Sequence, residues 1–395
     1  MPGQAIEPRE ESLTIDAYRF FELAVAFRER LEAIQASIPR EGWEWYPYDS
    51  FGFLELLRDL LKDDFRFPLR LSGGGRVLDI GCADGALAFF WEEMGCDVTA
   101  IDFAPTNFNR MRGVHALKAA LGSRVEIRDM NLDSAFELPK AKVGLALLLG
   151  LLYHLKNPFY VLEKLARHSQ YCLLSTRVAQ VTPSGVRMAG EPVAYLLDPA
   201  EANGDPTNYW IFSETSLMRL LSRSGWSALS VLSTGARENS DPVRSEGDER
   251  IACLLQSRKF RPFERVELRT GWFALEANRW RWTAAEFSLS CFLPMWRKRL
   301  RFEFNLPEVF NTAEAITVRA ILNGVPLPPQ RFDDAGRQTY CQELEHYVRG
   351  DIHLSFTIDP PLRPSGSEMR ELGVIVAFGE PPDPPLDSEI PLFFE

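Results

Sequence analysis

The run Arg76-Val77-Leu78-Asp79-Ile80-Gly81-Cys82-Ala83-Asp84-Gly85 constrains this chain more than any other segment. A short apolar strand reaches an acid and then turns through two glycines towards a helix. A second strand, Asp97–Ile101, delivers another acid, Asp102. Glycines at such a turn let the backbone pass close to a ligand. An acid ending the second strand is placed to take both hydroxyls of a ribose. The pairing describes a nucleoside-binding α/β domain.

The alternation around this run is regular. Strands are expected at 76–80, 97–101, 124–128, 143–149 and 171–176, with helices at 85–95, 106–121 and 157–168. The strands are apolar runs without polar alternation, the pattern of strands covered by helices on both faces. Two further strands near 226–233 and 251–257 complete the sheet, and 234–250 reads as a charged hairpin loop. Ser213 is placed to cap the helix that Gly225-Trp226 closes. Residues 177–210, rich in Pro and Gly, interrupt the rhythm on the carboxyl side of the sheet, where such folds bind ligands. Upstream, an apolar pattern over 13–35 predicts a helix, the aromatic run Trp43–Tyr48 follows, a second helix spans Phe51–Leu61, and Gly73-Gly74-Gly75 leads into the sheet.

The turn Val77–Gly85, Ile101-Asp102, Asp129 and the stretch Leu151-Leu152-Tyr153-His154-Leu155-Lys156-Asn157-Pro158 resemble class I S-adenosylmethionine methyltransferases over about residues 70–257. The aromatic lead-in is also similar to the tRNA wobble-uridine methyltransferase-like subgroup. The resemblance implies a Rossmann-like sheet of seven strands ordered 3-2-1-4-5-7-6, with strand seven antiparallel, and a helical N-terminal extension. It implies S-adenosylmethionine as cofactor and S-adenosylhomocysteine as product.

Asp84 stands where a dinucleotide fold would meet pyrophosphate, and a carboxylate there suits a cationic or zwitterionic ligand instead. The expected cofactor-binding set is Asp79, Gly81, Cys82, Ala83, Asp84, Gly85, Asp102, Phe103, Asp129, Met130 and Leu149. Asp79 orders the loop or meets the methionine amine, Phe103 and Met130 lie against adenine, and Asp129 accepts from the adenine amino group, with Asp133 as its alternative. His154 is either the general base or a ring bonded to its own loop; Tyr153 orients the acceptor or packs on the methionine part. The expected substrate-binding residues are Trp43, Trp45, Tyr46, Tyr48, Arg177, Tyr209 and Trp210. The aromatics serve as a stacking wall or as a clasp holding helices to the sheet, and Arg177 holds an anionic group. No spacing of the His and Cys residues makes a metal site.

From about 266 to 382 the chain alternates apolar and polar residues, with Asn323-Gly324 as a turn signal, and reads as a β-sandwich. Gly271–Glu276, Arg279–Thr283 and Arg370–Val374 resemble β-sandwich modules of bacterial glycosyltransferases, which moves the expected acceptor towards sugars. Trp280 and Trp282 share one face of a strand, as a sugar platform or as core. Trp296–Arg301 is a basic run that meets phosphate or guards a strand edge. The expected divisions are 1–70, 71–258 and 259–395.

With 395 residues and a net charge of -11, the chain is acidic, which disfavours broad nucleic-acid binding. The absence of a signal-peptide pattern, of an apolar run of about 18–20 residues and of a disulfide framework points to a soluble cytoplasmic protein, monomeric or homodimeric. The leading expectation is O-methylation of a saccharide, glycan or nucleotide- or lipid-linked sugar. The alternatives are tRNA or RNA methylation, methylation of a small natural product, and a non-catalytic scaffold that binds S-adenosylmethionine or glycan.

Overall fold

The apolar runs become the parallel centre of a sheet. The computed structural model describes residues 17–61, 75–139, 141–235, 239–244, 248–261, 265–277, 279–307, 315–362, 371–377 and 390–394. The chain divides into two units, residues 1–260 and 261–395. Residues 13–16, Gly73-Gly74, Arg370 and the Pro-rich tail 381–385 lie outside the described residues, as does the side chain of Trp296.

The first unit begins with α1 (Ala17–Ser37) and α2 (Gly52–Leu61). Phe20, Ala24, Phe27 and Leu31 recur at helical spacing on α1 and are buried. Phe20 and Phe27 pack on Phe90 of α3 (Ala86–Glu93). Strands β1 (Arg76–Ile80), β2 (Asp97–Asp102), β3 (Glu126–Asp129), β4 (Val143–Leu149) and β5 (Ser169–Val178) pair in parallel in the order β3-β2-β1-β4-β5. Between them lie α4 (Arg112–Leu121) and α5 (Pro158–His168). Asn157 caps α5 by accepting from the Tyr160 N–H at 3.2 Å.

The 177–210 insertion is more ordered than its Pro and Gly content predicts. It carries β6 (Ala194–Leu196) and leads into β7 (Trp210–Phe212), which extend the sheet beyond the end of β5. It also has its own small core of Ala179, Met188, Leu197, Ala202 and Ile211. After α6 (Glu214–Ser224), capped by Ser213 as expected, β8 (Trp226–Gly235) and β9 (Glu249–Ser257) close the sheet. β9 runs antiparallel between β5 and β8, so the expected 3-2-1-4-5-7-6 order is present and two insertion strands are added to it.

One local expectation is corrected. The helix expected from 106 starts at Arg112, because Arg110 and Met111 take φ of 58° and 63°. Within the stretch expected as a charged hairpin loop, Ser240 and Asp241 are buried. Buried Glu249 accepts from Gln180 Nε2, Ser233 Oγ and Ser240 Oγ.

The irregular stretch before α4 ties down the aromatic lead-in. Asn109 Nδ2 donates to Asp84 Oδ1 at 2.7 Å and to the Glu44 carbonyl at 3.2 Å, and the Tyr46 N–H donates to Asp84 Oδ2 at 2.6 Å. Gly113 lets the helix come this close: a Cβ there would lie 2.0 Å from Asp84 Oδ1.

The described elements of the second unit are all strands. They comprise β10 (Arg265–Leu268), β11 (Trp272–Glu276), β12 (Trp280–Ala284), β13 (Glu286–Leu306), β14 (Ile316–Leu322), β15 (Val325–Phe332), β16 (Gly336–Asp359), β17 (Leu372–Ala377) and β18 (Leu392–Phe394). The described strands form one continuous sheet around a core that includes Phe287, Phe302, Phe304 and Phe356. The layers of a sandwich are joined because the long strands β13 and β16 pair along both halves. Asn323-Gly324 turns β14 into β15 with φ of 48° and 84°. Trp282 packs on this core, while Arg299 and Arg301 of the basic run pair with Glu343 and Glu303.

In an open helix Gly→Ala stabilises by about 1 kcal/mol. Gly113→Ala should instead destabilise by about 1–3 kcal/mol, because the new methyl displaces the Asp84 carboxylate. Urea unfolding checks the sign; a stabilised variant would show that this tie contributes nothing.

Candidate active site and cofactor cradle

The turn after β1 is stapled to the end of β2. The N–H groups of Gly81 and Cys82 donate to the Ile101 carbonyl at 2.8 and 3.2 Å. Asp102 Oδ2 accepts from the Ala83 N–H at 2.8 Å, and its Oδ1 accepts from the Phe103 N–H at 2.7 Å. Gly81 and Gly85 have φ of 75° and 81°. A Cβ on Gly85 would meet Val114 at 2.7 Å and Phe89 at 2.9 Å. Both glycines are therefore required by conformation, and Gly85 by space as well.

Asp79 lies buried at the base of this turn. Burial, and then the charge of Asp102, push its carboxyl up to about 7, with the Ala88 N–H opposing the shift. Burial also raises Asp84 and Asp102, and raises the neighbouring Cys82 thiol well above its ordinary range. Asp129 stands beside Asp102 in the β2–β3 register and accepts from the Ala104 N–H at 3.0 Å. The Met130 N–H donates to the Asp102 carbonyl, and Leu149 ends β4 half-buried. Asp133, the alternative to Asp129, instead accepts from the Lys156 and Asn157 N–H groups.

The structure redistributes several expected roles. Asp84 does not present a free carboxylate to a ligand, since Asn109 and the Tyr46 N–H occupy its two oxygens. Arg177 is buried and turned inwards, pairing with Asp248 and donating to the Arg244 carbonyl at 2.7 Å. It therefore cannot hold an acceptor's anionic group as expected, because its guanidinium is enclosed among these protein oxygens. The aromatic lead-in splits in two. Trp45 packs on the main core with Trp43 edge-on against it, which is the clasp alternative. Tyr46 and Tyr48 form a separate pair at 5.3 Å, and Tyr46 also meets Phe108 at 6.2 Å.

Tyr46 belongs electrostatically with Tyr153, Arg250 and Asp102; burial, and then the phenol of Tyr153, push its own hydroxyl up to about 12. Tyr153 and His154 follow β4 on a short 3₁₀ turn, their rings 4.3 Å apart. The insertion closes over them. The Tyr209 N–H donates to the Tyr153 carbonyl at 2.8 Å, and Trp210 Nε1 donates to the Lys156 carbonyl at 3.2 Å. Tyr209 and Trp210 thus fasten the insertion to the 153–156 loop, and the Lys156 ammonium lies over the Tyr209 ring.

His154 Nδ1 lies 3.1 Å from the Thr207 carbonyl oxygen and 3.0 Å from Thr207 Oγ1. Thr207 Oγ1 donates to Asp205 Oδ1 at 2.6 Å. Asn107, Asn109, Asp205, Thr207 and Arg250 were not read from the sequence. The Asp205-x-Thr207 spacing is a local turn signal, but the fold alone brings it to His154.

Buried Asp79 and half-buried Asp102, on either side of this turn, suit a ligand carrying positive charge. S-adenosylmethionine, with an ammonium and a sulfonium and no phosphate, fits that donor set. Asp79 and the turn residues would hold its methionine part, Asp102 its ribose, and Asp129, Phe103 and Met130 its adenine.

The first unit has the class I S-adenosylmethionine-dependent methyltransferase fold, and S-adenosylmethionine is its cofactor. Residues 48–231 match a family model described as a methyltransferase domain. The chain is 32% identical over 108 residues to the ubiquinone biosynthesis O-methyltransferase of Paracidovorax citrulli (strain AAC00-1), covering 25% of this chain and 44% of that one. It is 29% identical over 142 residues to the enzyme of the same name from Dechloromonas aromatica (strain RCB), covering 35% and 59%. The matches span about half the length of these relatives. Among solved structures, EvdMO1 is 15% identical with a TM-score of 0.37, covering 84% of this chain and 97% of that one. Among the described residues no helix is long and apolar enough to cross a membrane, and no His, Cys, Asp or Glu cluster could hold a metal ion.

The raised Asp79 carboxyl sets a pH dependence. A ligand ammonium favours the carboxylate, so binding releases a proton, and affinity for S-adenosylhomocysteine should rise with pH and level off above about 7. The ligand-free protein should show the opposite trend. Its folded state retains a proton that the unfolded chain loses near pH ~3.9, so this contribution to stability falls as pH rises from there through about 7. Calorimetric titrations across this range check both. Asp79→Asn should flatten the binding profile, and a wild-type profile already flat would remove Asp79 from the ligand.

Proposed function

We propose that the first unit transfers a methyl group from S-adenosylmethionine to a hydroxyl oxygen of a small, ring-bearing organic molecule. The tautomer of His154 carries this reading. A backbone carbonyl only accepts, and the Thr207 hydroxyl has already given its hydrogen to Asp205. Both oxygens facing Nδ1 therefore call for a proton on it, which leaves Nε2 with its lone pair.

Burial is the largest influence on His154 and lowers its pKa, so the ring is neutral and able to act as a base at neutral pH. The bound cofactor supplies an electrophilic methyl on a cationic sulfur. Nε2 is placed to take the hydroxyl proton of the acceptor; the methyl would pass to that oxygen as its bond to sulfur breaks, with S-adenosylhomocysteine as the leaving group. The positive charge gained by the ring is offset by Asp205 through Thr207. Tyr46, Tyr48, Phe108 and Tyr153 provide ring surfaces suited to holding a planar acceptor.

The relatives' names place their own O-methylation in ubiquinone biosynthesis, which supports oxygen as the target and a small organic acceptor. The saccharide expectation drew on the second unit, where Trp282 is engaged with that unit's own core and offers it no added support.

Labelled methyl from S-adenosylmethionine should enter a small-molecule extract rather than separated saccharide or tRNA pools. His154→Ala should lower turnover by about 10²–10⁴-fold while S-adenosylhomocysteine affinity is unchanged. The acid limb of the wild-type rate should fall below the ordinary imidazole range. Undiminished turnover in the variant would exclude His154 as the base, and label in tRNA or saccharide alone would overturn the acceptor class.

A further inference from the structure

Arg250 is a second cation at the acceptor side, and the proposed function does not use it. It lies opposite Arg177 in the β5–β9 register, with Asp248 two residues before it. One carboxylate serves both guanidinium groups: Asp248 Oδ1 pairs with Arg177, and Asp248 Oδ2 accepts from Arg250 Nε at 3.0 Å. The carboxylate of Glu249, between them in sequence, is spent on Gln180, Ser233 and Ser240.

The two arginines differ in what else they meet. Arg177 is enclosed and donates to the Arg244 and Asp241 carbonyls. Arg250 keeps 38% of its side chain exposed. Its guanidinium lies 5.9 Å from the Tyr153 ring centroid. It is also within electrostatic reach of Tyr46 and His154. Arg177 and Arg250 share the Asp248 carboxylate, and the partly exposed Arg250 side chain reaches the proposed acceptor space beside Tyr153.

We propose that Arg250 is the anion-recognition residue of the acceptor site, selecting a hydroxylated ring that carries a carboxylate. The proposal rests on the reading of this site as an O-methyltransferase centre and adds the substrate class. The planar fork of a guanidinium matches a carboxylate. The ring lies among Tyr46, Tyr48 and Tyr153, and the carboxylate takes the terminal nitrogens of Arg250.

The test compares 3,4-dihydroxybenzoate with 3,4-dihydroxybenzamide, isosteric probes that differ in charge. Binding of each to the full chain saturated with S-adenosylhomocysteine is measured by calorimetry. The benzoate should bind roughly tenfold or more tightly than the amide, a preference that weakens with salt. Arg250→Gln should abolish the preference and Arg250→Lys should keep part of it, with S-adenosylhomocysteine affinity unchanged in both. Equal binding of the two probes, binding of neither, or a preference that survives in Arg250→Gln overturns the inference. If Arg250→Gln does not fold, the wild-type preference and its salt dependence still decide. Failure of the wild type to bind S-adenosylhomocysteine would bring down the parent reading too, whereas cofactor binding without carboxylate preference overturns this inference alone.

Discussion

Three carboxylates crowd one strand-to-helix turn, and much of the first unit is arranged around them. Like charges brought together away from water repel strongly unless each finds donors. Asp102 meets two backbone N–H groups, and Asp84 meets the Tyr46 N–H and Asn109. Asp79 is opposed mainly by the Ala88 N–H and so retains its proton into the neutral range. The same donors organise the surroundings. Asp84 draws in the aromatic lead-in and the start of α4, and Asp102 sets the turn after β1.

The proposed acceptor side comes from four separate stretches of chain: Tyr46 and Tyr48, the Tyr153-His154 turn, the insertion, and the start of β9. None of these could form the site alone. Hydrogen bonds between stretches join them, with Tyr209 fastened to Tyr153 and Thr207 to His154. Function on this side is thus a property of how the loops at the sheet's carboxyl edge meet, as the fold's topology favours.

The turn and the acids proposed to hold the cofactor were legible as local structure because they lie close together in the sequence. A strand, a glycine turn and an acid at the end of the next strand are a one-dimensional pattern, and the sheet order follows from the regular alternation. Tertiary partners decided the rest. The Asp84 reading assumed a ligand as its partner, whereas the chain itself supplies Tyr46 and Asn109. Arg177 and Arg250 carry the same charge on facing strands, and only packing decides that the first is enclosed and the second reaches Tyr153. The start of α4 was misread because Asn107 and Asn109 bond the backbone there, with Arg110 and Met111 in the left-handed region. Such side-chain bonds compete with helix and leave little periodic trace.

The insertion ties orientation of the histidine to the shape of the proposed acceptor side. Asp205 and Thr207, which fix the ring's tautomer, sit on the same loop as Tyr209, which closes over Tyr153. Exchanging this segment with that of a related sequence would alter selectivity and base chemistry together. A lineage carrying this loop can therefore change its acceptor only along routes that keep an oxygen acceptor facing Nδ1. Point changes on the Tyr46 and Arg250 walls leave that requirement untouched, and they are the freer path to a new substrate.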